Sequence, residues 1–195
     1  DPIPDEASVD IQITIDRPLT DSEKEALEDF KQTIAALEAA IMALADNAVL
    51  TLPNGADVTG AELKAIWAKT DFVINDIGHI YGSVTDSQGN VFPGNQTDRG
   101  QANPNWGNYE ISFNIDLLND YDDNTGGMNY VVAHELGHLS QADSNYYSSE
   151  ITANDIARAL LNGAGLDYLE NPNGGGYTPG APTQFSAAPS GGGRS

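Results

Sequence analysis

The stretch from Val131 to Asp155 reads "VVAHELGHLSQADSNYYSSEITAND", and it constrains the fold more than any other part of the chain. It carries His134 and His138, two of the three histidines present. Side chains four residues apart lie on one face within reach of a shared ligand only when the backbone is helical, since in a strand they stand about 13 Å apart. If the two imidazoles act together, this segment is therefore a helix. Val131, Val132, Leu136 and Leu139 supply its apolar back. A short connection leads to a further helix after Ser149, where "EITANDIARALL" sets Ile156, Leu160 and Leu161 on an apolar stripe of their own.

The remainder of the chain reads as a scaffold for these helices. "VDIQITID" puts Val9, Ile11, Ile13 and Ile15 on one side of a half-buried strand. Thr20 followed by Glu23 forms a capping-box pattern, and Leu27, Phe30, Ile34, Leu37, Ile41 and Leu44 then recur at helical spacing. "VLTLPNGADVTG" predicts a short strand and a turn, and Thr59 with Glu62 starts a second helix through "AELKAIWAKT". From Asp71, "FVINDIGHIYGSV" is strand-like, and "VFPGNQTDRGQANPNWGN" reads as loop. Ile111, Phe113, Ile115 and Leu117 alternate with polar residues in a strand with one wet face. Residues 1–170 make a single domain, and 171–195, rich in Gly, Pro and Ser, reads as a flexible tail.

Composition narrows what a site in this domain can be. Lys and Arg number 8 against 29 Asp and Glu, a formal charge of -21. Such a field repels phosphate backbones and anionic lipid, which excludes nucleic acid as a partner and leaves proteins, peptides, cations and neutral small molecules. The chain has no cysteine, so a metal must be held by His and carboxylate. No apolar run reaches the length of a membrane span. A start at "DPIPDEASVD" fits a processed secreted or extracytoplasmic protein, or a trimmed chain.

His134 and His138, one helical turn apart, can reach one tetrahedral Zn²⁺, and Glu135 beside them can take a proton from water at the metal. A third protein ligand is still needed. The extended pattern HExxHxxGxxH is broken here by Gln141 and Ser144, and Asp143 stands one residue out of place. Glu150 is the better candidate, with Asn154 one turn beyond it, and Asp155 is an alternative to Glu150 as ligand or, if that helix is rotated, to Asn154 as the partner of His134.

At these residues the chain resembles the thermolysin-like zincins, in which a Glu on a downstream helix completes the site. The likeness is closer to the ImmA/IrrE-type metallopeptidases, whose "HELGH" precedes a helix similar to "EITANDIARALL". It covers roughly Val131 to Leu161. The resemblance implies that His134, His138 and Glu150 bind zinc, that Glu135 is the general base, and that Asn154 orients His134 through its other ring nitrogen. It also implies an α+β, zincin-like fold: a small mixed sheet with an edge strand, a long backing helix, an active-site helix and a following Glu-bearing helix.

Several further expectations follow. The function expected is a zinc endopeptidase with protein or peptide substrates. Tyr146 and Tyr147 are candidate donors to the oxyanion, with packing over a loop as the competing reading. His79 can approach the site or serve a strand structurally. The strand from Glu110 to Leu117 is either an edge that pairs with extended substrate or an ordinary core strand. Asp120, Asp122 and Asn124 alternate as oxygen ligands in a Ca²⁺ loop do, but Thr125 and Val131 stand where such a loop needs Gly and Glu. The competing reading is an acidic loop in which Asn124 or Thr125 caps the active helix. The contrasting function is a binding or adhesion module of an acidic extracellular protein that holds metal without turnover. Substrate identity and oligomeric state are not encoded in any motif.

Overall fold

The computed structural model describes residues 10–52, 55–75, 84–85, 91–92, 100–105, 108–115, 125–140, 146–168 and 184–186. Among them the chain is α+β. Strand β1 (Ile11–Ile13) is followed by helix α1 (Asp21–Ala43), a hairpin of β2 (Val49–Thr51) and β3 (Asp57–Thr59), and helix α2 (Gly60–Ala68). Then come β4 (Thr70–Asn75), the short pair β5 (Val84–Thr85) and β6 (Val91–Phe92), β7 (Gly100–Asn105) and β8 (Asn108–Asn114). Helices α3 (Thr125–Ser140) and α4 (Tyr146–Ala164) complete the order.

Helix α1 begins where the capping box predicts. The Thr20 hydroxyl accepts the Glu23 backbone N–H at 3.1 Å, and the Glu23 carboxylate reaches back to the Thr20 N–H. A hydrogen bond from Arg17 holds that carboxyl below its ordinary range, against a burial that would raise it. Leu27, Phe30, Ile34, Leu37 and Ile41 are all buried, as their spacing requires. Replacing Thr20 with Ala orphans the Glu23 backbone N–H and is expected to cost about 1 kcal/mol, a fall of a few degrees in Tm by calorimetry. At α2 the Thr59 hydroxyl likewise accepts the Glu62 N–H at 3.1 Å.

The main sheet has the order β1-β4-β8-β7, parallel across β1, β4 and β8, with β7 antiparallel to β8. Register places Phe72 beside Ile111 and Ile74 beside Phe113, so one face is apolar. Phe30 of α1 covers it, edge-on to Phe72 at 5.9 Å and to Phe113 at 5.1 Å. Helix α1 is thus the long backing helix.

Here one of two open readings is selected and one expectation changes. The strand beginning near Glu110 is interior, flanked on both sides by β4 and β8's hairpin partner β7, and the edge is β7 itself. That edge comes from the segment read as loop. Its Gly, Asn and Pro residues have little strand preference of their own, and pairing with β8 supplies what local propensity lacks. Pro104 is tolerated because among the described residues β7 has a ladder partner on one side only. Helix α3 packs against this edge strand.

The β2–β3 hairpin turns through Gly55, whose φ of 87° lies in the left-handed region. Gln184–Ser186 return to this hairpin. Ser186 N donates to the Val49 carbonyl at 2.8 Å, Val49 N donates to the Ser186 hydroxyl at 3.0 Å, and Phe185 packs on the core. The reading of 171–195 as a flexible tail does not anticipate this contact. No helix among the described residues is long and apolar enough to cross a membrane.

Candidate metal centre

Helices α3 and α4 form an antiparallel pair, the most extensive packing between two elements among the described residues. Val132, Ala133 and Leu136 on α3, and Ala153, Ile156, Ala157 and Leu161 on α4, are essentially inaccessible to solvent. The approach is set by Gly137, the glycine inside "HELGH". A Cβ there would lie 2.8 Å from both the Cα and the carbonyl oxygen of Ala153. Both are backbone atoms of a packed helix, so the helices would have to separate. Gly137→Ala is expected to cost about 1–3 kcal/mol in overpacking. It should also weaken metal binding, because it moves the face carrying Glu150 away from the two histidines. Thermal melts and a zinc titration of that variant measure both effects.

With the helices in contact, three side chains converge. His134 Nε2 lies 3.2 Å from one Glu150 carboxylate oxygen, and His138 Nε2 lies 3.0 Å from the other. The two Nε2 atoms are 3.0 Å apart, with the rings edge to face. Among the described residues this is the one group of His and carboxylate side chains placed to share an ion. The spacing suits one: a tetrahedral zinc site with bonds of about 2.0–2.1 Å separates its ligand atoms by about 3.3 Å. Lone-pair-bearing atoms crowded this closely repel one another unless a cation stands among them.

The electrostatics agree with that demand. Burial alone would push the His134 imidazole down, but its hydrogen bond to Glu150, the charges of Glu135 and Glu150, and its hydrogen bond to Asn154 together raise its pKa. Hydrogen bonds from His134 and then His138 hold the Glu150 carboxyl well below the usual carboxylate range, against its burial. The cluster favours positive charge at its centre, and a proton or a metal ion can provide it.

His134 is oriented from behind. Its Nδ1 meets Asn154 Oδ1 at 2.7 Å, so Nδ1 carries a proton and Nε2 is the nitrogen turned to the centre, where it donates to Glu150 when protonated and offers a lone pair to a metal ion when not. Asp155 does not take this part. It is buried beside Arg158 at 3.5 Å, where burial raises its carboxyl pKa against the pull of the guanidinium. Glu135 is buried on α3, and its charge acts on His134. Tyr146 and Tyr147 lie in the first turn of α4, and their side chains fall outside the described residues. Asp143, His79 and the Asp120, Asp122, Asn124 loop are likewise outside them.

Two contributors escaped the sequence reading. Tyr130, one turn before His134, donates its hydroxyl to Asn154 Oδ1 and stacks on the His134 ring with 6.1 Å between centroids. Tyr168 stacks on the far side of Tyr130. The spacing of Tyr130 from His134 repeats that of His134 from His138, which is the signal that would have found it.

No family model matches the chain, and neither a curated protein nor a solved structure matches it.

Proposed function

We propose that this protein is a zinc-dependent endopeptidase of zincin type. The observation that carries the proposal is the convergence of His134, His138 and Glu150 from two helices onto one point, with the buried Glu135 acting on His134 from the same helix. Two imidazoles and a carboxylate form the donor set of a catalytic zinc that keeps a position open, and the absence of cysteine excludes the all-thiolate structural alternative. Zinc held there supplies a Lewis acid that lowers the pKa of water and polarises a substrate carbonyl.

The chain's own residues do the rest. Glu135 accepts the proton of the attacking water and passes it to the leaving amine nitrogen. Asn154 keeps His134 in the tautomer that presents Nε2. Strand β7, which among the described residues has a ladder partner on one side only and packs beside α3, offers its other side to an extended peptide. Tyr146 and Tyr147, at the start of α4, are the proposed donors to the oxyanion. The acidic chain suits a secreted or extracytoplasmic setting. Ca²⁺ at the Asp120 loop remains a proposal resting on sequence alone.

The test is a peptide-library digest by zinc-loaded protein, with and without chelator. Cleavage that stops with chelator and returns with zinc is the expected result. Stoichiometric zinc with no cleavage across the library would instead favour a metal-holding binding module.

A further inference from the structure

Asn154 orients His134 with a neutral group whose two ends differ. Turned half around its terminal bond, the amide presents NH₂ to Nδ1. The imidazole proton then moves to Nε2, the atom that must face the metal. A carboxylate has no wrong end, so an amide in this position needs something to fix it.

Tyr130 is placed to do so. Its hydroxyl lies 2.5 Å from Asn154 Oδ1, the same atom that His134 Nδ1 meets at 2.7 Å. A phenol donates more readily than it accepts, so two donors on one atom favour the amide with its oxygen toward both. The Tyr130 ring is itself held. It is buried, stacked on His134 at an interplanar angle of 24° and on Tyr168 at 20°. The segment carrying Tyr168 is tied to α3 by Asn129 Nδ2, which donates to the Asp167 carbonyl at 2.9 Å.

We infer that Tyr130 is a positioning residue that locks the Asn154 amide and thereby commits His134 to presenting Nε2 to the metal. The inference rests on the metal-binding reading, but its test separates the two.

Tyr130→Phe keeps the ring and both stacks and removes only the hydroxyl. Zinc affinity, measured by competition with a chromophoric chelator, should fall about 10-fold or more, the range found when a partner of a metal-bound His is lost. In metal-free protein at alkaline pH, where the imidazole is neutral, ¹⁵N spectra should show His134 protonated on Nδ1 in the wild type and a mixture of tautomers in the variant. Asn154→Asp has no wrong end, so in that background Tyr130→Phe should change affinity by less than about twofold; this loss of sensitivity is the Asp rescue, and a general loss of packing would lower affinity in both backgrounds alike.

An affinity within about twofold of wild type with an unchanged tautomer would overturn the inference, as would failure of the Asp rescue. If the wild type binds no zinc, the metal reading fails and the tautomer spectra still decide the role of Tyr130. Should Tyr130→Phe not fold, the wild type decides: a Tyr130 hydroxyl proton with a cross-peak to the His134 Nδ1 proton is expected, and its absence refutes the shared acceptor.

Discussion

Glu135→Gln is expected to bind zinc in the same amount as the wild type, to melt at the same temperature, and to cleave peptide slower by roughly two orders of magnitude or more. Gln has almost the shape of Glu, and residue 135 is not among the side chains that converge on the ion. What the substitution removes is the ability to accept a proton. The three measurements together separate holding a metal from using it. A Gln variant that cleaves at the wild-type rate would remove Glu135 from the mechanism. One that loses zinc would mean that Glu135 shapes the site rather than serving as its base.

The second large effect concerns stability. The ligands come from α3 and α4, and the unfolded chain does not hold them in place, so metal binding is coupled to folding. Zinc at a thousandfold excess over Kd stabilises the folded state by about 4 kcal/mol, which for a chain of this size raises Tm by about 8–16 °C. Stripped protein titrated with zinc in a thermal scan should show that rise. His134→Ala combined with His138→Ala should abolish it, and Glu150→Ala should weaken it far more than Asp143→Ala. If Asp143→Ala has the larger effect, the third ligand has been assigned to the wrong residue.

The parts of this fold that were legible in the sequence are those specified locally. Thr20 and Glu23 mark the start of α1 because the capping box satisfies backbone donors within one turn. The stripe from Leu27 to Ile41 needs only helical spacing to face a core. The pairing of His134 with His138 was legible for a similar reason, since they stand one helical turn apart, whereas Glu150, which the structure brings to them, was reached through the resemblance of "EITANDIARALL" and not through any local rule. Strand β7 was not legible. Residues such as Gly100, Asn103 and Pro104 carry no strand signal, and their conformation comes from β8 alongside them. The choice between an edge and an interior position for β8 could not be made for the same reason, because it requires knowing that β7 exists. Ile13 shows the limit of alternation: the pattern predicts a buried face, yet Ile13 is 45% exposed because β1 is the opposite edge of the sheet. Gly137 could be seen in the motif, but its contact with Ala153 is a property of two helices and not of either one.

The return of Gln184–Ser186 to β2 bears on how the molecule avoids its own neighbours. A two-stranded hairpin such as β2–β3 is marginal alone and presents unpaired N–H and C=O groups along its outer side. Such a row is a template on which another chain can pair. Here Ser186 occupies both polar groups of Val49, while Phe185 is packed on the core beneath. Residues distant in sequence thereby act as a guard rail at Val49, taking up the polar groups there on which another strand could otherwise begin to pair.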